Sequence, residues 1–332
     1  MLNPKSLIVG LATIAVAGFF TLTAQDKKPK EAPKDWPQKK AERFAGKPSA
    51  DEKSKIEAAL PEKATKEAKA ERRVLMIDRC EGFIHGSIPY GNHAMIEMGN
   101  KSGAFKVDLV EDYSGFTAEN LKQYDGILFN NTTNLIPNEA QQAAILDFVK
   151  SGKGIVGLHA AGDNFKKWEA GIAMIGGVFN GHPWGGGGEW AFKLDDPEHP
   201  LNAAFKKEGF WHSNEIYWYK PENFQGRDRL RVLLSLDMTK KKNQQAIKPK
   251  DLEKAGGPVE KVDVPVSWIQ ELGEGRVFYT NLGHREDTFW NSAVLLHISD
   301  GIQYALGDLE ADATPSAKAG EKDAILAPEG AE

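Results

Sequence analysis

Cysteine is almost missing from this chain: Cys80 is the single example in 332 residues. No intramolecular disulfide can form, so stability has to come from a packed core, which a chain of this length can build. Cys80 ends an apolar run, where a buried inert thiol is the expected reading. A surplus of positive charge is missing too. Lys+Arg number 42 against 47 Asp+Glu, for a formal net charge of -5, and a pI near 6.0 leaves no basic footprint for nucleic acid. The N-terminal apolar run, Leu7 to Phe20, is short for a membrane span. Preceded by Lys5 and followed by Ala24-Gln25, it matches a secretory signal instead. Residues 1–24 are therefore expected to be a signal peptide, with export to the periplasm or the medium and no stable membrane insertion after cleavage. No cysteine stands near the cleavage site to carry a lipid anchor.

What is present divides the chain further. Residues 25–70 are dominated by Lys, Glu, Ala and Pro and read as a flexible or partly helical linker. Residues 308–332 read as a disordered tail. Between them, over 71–307, the pattern is that of one domain. Short apolar runs at Val74 to Ile77, Phe105 to Val110, Gly126 to Phe129 and Gly154 to Leu158 suit buried parallel strands. Helical patterns follow at Ile88 to Met98, Thr117 to Gln123, Pro137 to Val149 and Phe165 to Ile175. Strand, helix, strand in succession implies right-handed crossovers and a doubly wound, mostly parallel α/β sheet. Five further strand signals between Trp190 and Thr280 mark a strand-rich insertion, and Asn291 to Leu306 reads as a closing helix.

In such a sheet, ligands bind beyond the carboxyl ends of the strands. Histidine recurs there: His85 follows the first strand, His159 the fourth, and His284 the last. Imidazoles brought together from separate strands imply a shared ligand or proton task. With Glu215, which interrupts an aromatic strand, His85, His159 and His284 form a candidate set for a divalent metal, zinc foremost. His159, His284, Glu215 and Asp163 are the candidate catalytic residues, with Asp163 either orienting His159 or capping the next helix. A metal-free pair, His159 and His284 sharing the proton work, is the rival. Asn131 after the third strand, His182 and Trp184 before the glycine run Gly185 to Gly188, and Tyr217 are the candidate substrate contacts. The glycine run lacks the lysine and helix start of a phosphate loop, so no nucleotide cofactor is expected.

Several blocks carry a family resemblance: IHGSI at Ile84 to Ile88, YDGILFNNTT at Tyr124 to Thr133, GIVGLHAAGD at Gly154 to Asp163, and IGGVFNGHP at Ile175 to Pro183. DPEHPL, NEIY, PVSWI and GRVFYTNLGH follow in order through His284. In combination the chain resembles the ThuA-like, trehalose-utilisation-type proteins, whose flavodoxin-like fold is similar to that of the class I glutamine amidotransferases. The resemblance implies that GLHAA is the amidotransferase nucleophile elbow with His159 in the cysteine's place, which removes thioester glutaminase chemistry. His284-Arg285-Glu286 similarly resembles the His-x-Glu of that family's dyad. The resemblance also implies a small-molecule carbohydrate ligand and hydrolase, lyase or isomerase chemistry. The alternative it leaves open is a non-catalytic carbohydrate-binding protein, and self-association into a homo-oligomer stays open as well.

Overall fold

The computed structural model describes residues 35–255, 258–320 and 322–330; the expected signal peptide lies outside them. The helices are α1 (Trp36–Arg43), α2 (Ala50–Ala59), α3 (Ile88–Ser102), α4 (Ala118–Leu121), α5 (Glu139–Lys150), α6 (Glu169–Ile175), α7 (Lys241–Gln245), α8 (Pro249–Ala255) and α9 (Ser292–Ala305). The strands are β1 (Arg73–Ile77), β2 (Lys106–Val110), β3 (Gly126–Asn130), β4 (Gly154–Leu158), β5 (Phe179–Trp184) and β6 (Glu189–Leu194). They continue with β7 (Phe210–Ser213), β8 (Ile216–Tyr219), β9 (Arg231–Leu236), β10 (Pro265–Leu272) and β11 (Gly275–Thr280).

Strands β2, β1, β3, β4 and β11 lie side by side in that order, all parallel. This is the doubly wound arrangement the sequence predicts. Antiparallel β10, β9, β6 and β7 extend it to a nine-stranded sheet, and β5 pairs with β8 in a small sheet of its own. The inserted strands therefore do two jobs: four widen the main sheet and two form a separate ribbon.

Period-two alternation assigns each core strand to two layers. Val74, Met76, Leu128, Val156 and Phe278 face α3 and α9 through Met95, Met98, Leu295 and Ile298. Leu75, Ile77, Ile127, Ile155 and Val277 face α5 and α6 through Ile145, Phe148 and Ile172. Each fully buried aliphatic side chain contributes about 1.5–3 kcal/mol of transfer free energy. The helix ends are fixed locally. Asn138 and Gln141 close a capping box on α5, and α3 stops at Gly103, whose φ of 68° suits glycine.

Three expectations change. Residues 35–60 form α1 and α2, and they are anchored. Trp36 is 1% exposed and its indole donates to Asp78 Oδ1 at 3.1 Å, while Ile56 and Leu60 join the main core. The charged composition hides these few apolar anchors because averages over a segment do not register where single residues fall. The C-terminal segment is likewise docked. Ile325 bridges Leu194, Leu309 and Ala327 are buried, and the Trp211 indole donates to the Pro328 carbonyl at 2.9 Å. The helix expected from Phe165 begins later, at Glu169, because His159–Gly162 is a 3-10 turn and Phe165 takes a φ of 59°.

Candidate metal centre

The parallel strands deliver the centre. β4 ends at Leu158, and His159 turns the chain with a φ of 41°, a left-handed conformation uncommon for any residue but glycine. Small neighbours permit the turn. A Cβ on Gly157 would stand 2.9 Å from Tyr279 Cδ2, and one on Gly162 would stand 2.7 Å from the Tyr279 hydroxyl. The Tyr279 hydroxyl in turn donates to the His159 carbonyl at 2.6 Å. The strand-to-helix elbow implied by the resemblance is thus built, with a fully buried imidazole at its apex.

The partner of His159 Nδ1 sets its tautomer. It lies 2.8 Å from the backbone carbonyl of Asn281, which can only accept, so Nδ1 carries the hydrogen. The bare Nε2 then faces His284 Nδ1 at 3.2 Å and Glu215 Oε2 at 3.5 Å, while His284 Nδ1 and Glu215 Oε2 are 3.2 Å apart. At most one hydrogen, on His284 Nδ1, is available to two acceptors. His85 closes the group with ring centroids 4.9 Å from His159 and 5.2 Å from His284. Its Nδ1 is buried without a hydrogen-bond partner, and Nε2 lies 3.5 Å from the Tyr217 hydroxyl. One ligand atom from each of His85, His159, Glu215 and His284 falls within 4.8 Å of the others.

The electrostatics match. Burial pushes His85 down to about 2 and lowers His159 as well, so both imidazoles are neutral. Burial by itself raises the Glu215 carboxyl, but the facing imidazoles of His159 and His284 outweigh it and hold the group below its ordinary range. Neutral imidazole beside ionised carboxylate is the protonation state that a divalent cation requires of its ligands.

The other predicted residues sort plainly. His182 Nδ1 lies 3.2 Å from Glu215 Oε1, with the side chain 52% exposed at the mouth of the centre. The Tyr217 ring packs 4.5 Å from His159. Asn131 lies beside the elbow, its Nδ2 donating to Gly283 O at 3.3 Å and its buried Oδ1 unpartnered. Trp184 is not at the site. It is fully buried, stacked on Trp218, and its indole donates to the Asn243 carbonyl at 2.9 Å. Asp163 takes neither of its expected roles. It closes the 3-10 turn and pairs with Lys166 at 2.8 Å, while Asn281 orients His159 and Trp168 precedes α6. Glu286 lies against Gly86, where a Cβ would meet its Oε1 at 2.5 Å, and the carboxylate beside His284 Nδ1 is that of Glu215. The glycine run does reach the centre: a Cβ on Gly186 would stand 2.6 Å from His284 Cδ2. Cys80 is buried and its thiol is pushed up to about 12 by that burial.

Sequence reasoning missed the support. Asn281 accepts from His159 and Asn214 through its carbonyl, accepts the Tyr217 amide through Oδ1, and donates to the Tyr219 and Tyr279 hydroxyls. Asn214 Oδ1 accepts the His284 amide at 3.2 Å. Asn281 sits directly after β11, three residues before His284, and that position was the available signal.

A large, mostly parallel sheet with a histidine turning the chain at the carboxyl end of β4 defines a doubly wound α/β protein. The chain belongs to the ThuA family, described as Trehalose utilisation, whose model matches residues 73–305. Among solved structures, it is similar to a ThuA-like protein from Bacteroides uniformis ATCC 8492 at 25% identity and a TM-score of 0.55, covering 76% of this chain and 98% of that one. A ThuA-like protein from Parabacteroides merdae ATCC 43184 shares the fold at 18% identity and a TM-score of 0.52, with the same coverage of 76% and 98%. No curated protein matches the sequence. Helices α1 and α2 and the docked C-terminal segment lie outside the matched residues.

Proposed function

We propose that the chain is an exported, metal-assisted enzyme acting on a sugar or keto-sugar derivative by hydrolase, lyase or isomerase chemistry. One observation carries the metal. His159 Nε2, Glu215 Oε2 and His284 Nδ1 converge with at most one hydrogen among them. A cation resolves that deficit, and the unpartnered Nδ1 of His85 shows that this imidazole also has coordination capacity to spare. Nitrogen donors with one carboxylate suit zinc. When bound, such an ion polarises a carbonyl or hydroxyl oxygen as a Lewis acid. The carbohydrate follows from the family's description, and export follows from the apolar run Leu7 to Phe20.

The chain's own residues supply the rest. His182, bonded to Glu215 Oε1 and half exposed, is placed to carry a proton between the buried carboxylate and the mouth of the site. Asn131 Oδ1 offers a buried acceptor to a substrate hydroxyl, and Tyr217 walls the histidines from water. Four protein donors also suit a closed structural site, and this count favours a second reading, a carbohydrate-binding protein held rigid by its metal. Single-turnover assays on a panel of keto-glycosides separate the two. Turnover that His182→Gln slows by about 100-fold, with metal retained, supports the enzyme. Sugar binding without turnover in the metal-loaded full chain supports the binding protein.

A further inference from the structure

We infer that the cavity between the β5–β8 ribbon and the segment around α8 is a subsite for a carbohydrate bearing an anionic group, a carboxylate or a sulfate ester. The inference deepens the carbohydrate reading above and rests on it for the sugar, whereas the anionic group comes from the cavity itself. The cavity measures about 590 Å³, a volume typical of small-molecule sites. Two of its lining residues, His182 and Tyr217, also touch the metal centre, so a ligand seated there reaches the chemistry.

Its walls combine two kinds of surface. Trp218, backed by Trp184 at a ring separation of 5.7 Å, and Phe224, stacked on Tyr219 at 5.3 Å, give firm aromatic faces against which the C–H face of a sugar ring packs. Lys248, Lys250 and Lys261 stand around the opening, and none forms an ion pair among the described residues. Asp251 and Asp263 share the lining. Both oxygens of Asp263 are held at 2.8 Å by the Arg227 guanidinium, which also pairs with Asp195 at 2.8 Å, so Asp263 is directed to Arg227 and its charge is partly offset there. The three lysines outnumber the two lining carboxylates, so the rim of this cavity is net cationic on a chain of net charge -5. Neutral sugars need no such rim, and an anionic sugar gains charge-assisted hydrogen bonds from it.

Calorimetric titration of the full chain with glucuronate, glucose 6-sulfate and glucose tests the assignment. At low salt at least one anionic sugar is expected to bind about tenfold more tightly than glucose, with the advantage shrinking as salt is added. The comparison of carboxylate with sulfate identifies the preferred group. Replacing the three exposed lysines together, Lys248→Gln, Lys250→Gln and Lys261→Gln, is expected to erase the preference while glucose binding stays within about twofold. The single variant Lys261→Gln, checked for an unchanged thermal melt, guards against a folding artefact and is expected to lose part of the preference. Equal affinity for all three sugars, no binding of any, or a preference that survives the triple variant overturns the subsite. Metal content measured on the same samples keeps the two ideas apart. Normal metal without anion preference sinks the subsite alone, and anion preference without metal sinks the metal-assisted reading alone.

Discussion

The parallel half of the sheet and the inserted half contribute differently to one centre. His159 directly follows β4 with a φ of 41°, while His85 and His284 lie in the loops beyond the carboxyl ends of β1 and β11. The inserted half supplies Glu215 just before β8, His182 on β5, and the lysine-rimmed cavity. The first half sets positions that the fold itself dictates. The second adds the charge and the recognition surface, and it does so from short strands and loops. Strands of a buried parallel sheet cannot shift without breaking both core layers, whereas an edge ribbon can vary with less cost, so the three histidines are tied to the parallel core, and Glu215 and the proposed substrate contacts are tied to the insertion.

That division can be broken from either side. The largest stability effect is expected in the inserted half, at a residue with no part in the chemistry. Trp184→Ala removes a fully buried indole and should cost about 3–5 kcal/mol in urea unfolding, while leaving metal stoichiometry unchanged in the folded fraction. Glu215→Gln reverses the pattern. It keeps the shape but removes the anionic donor, and equilibrium dialysis should show metal affinity lowered by more than about 100-fold with a much smaller change in unfolding free energy. A smaller effect is expected at Tyr279→Phe, in the parallel half. Loss of the hydroxyl that holds the His159 carbonyl should cost about 1 kcal/mol and weaken metal binding by up to about tenfold. If Trp184→Ala abolished metal binding in folded protein, or Tyr279→Phe left it untouched, the division of labour would fail.

The gentlest test uses pH. Burial lowers His297 to about 4 and His212 to about 4, and neither belongs to the metal set. Each is lowered relative to an unfolded histidine near about 6.5, so the unfolded chain binds more protons below that value. Their contribution is fully present above pH of about 6.5 and drains away as the pH falls towards about 4. Urea midpoints of the metal-free protein should therefore decline across that window. His297→Gln should flatten the decline, and an undiminished slope in that variant would assign the acid sensitivity to other groups.

The sequence made the parallel core legible because apolar runs such as Ile127-Leu128-Phe129 and Ile155-Val156 have few alternatives to a buried strand. It also exposed the histidines, since fold logic brings strand ends together whatever the distance between them along the chain. Trp184 was misread because a tryptophan beside a glycine run looks like a ligand platform, and only packing reveals that its indole turns inward to Asn243. Asp163 failed for a related reason: backbone carbonyls leave no mark in a sequence, so the true partner of His159, the carbonyl of Asn281, was not visible. Trp36 and Ile325 show the limit of composition, since single anchors dock segments whose averages are those of solvated chain.

The proposed metal centre makes His159, at the turn after β4, a metal ligand. Elemental mass spectrometry on the full chain, purified without chelator and supplied with divalent ions, tests it most directly beside His159→Ala. About one metal per wild-type chain and none in the variant is the predicted result. Metal retained at full stoichiometry in His159→Ala, or none bound by the wild type, would contradict it.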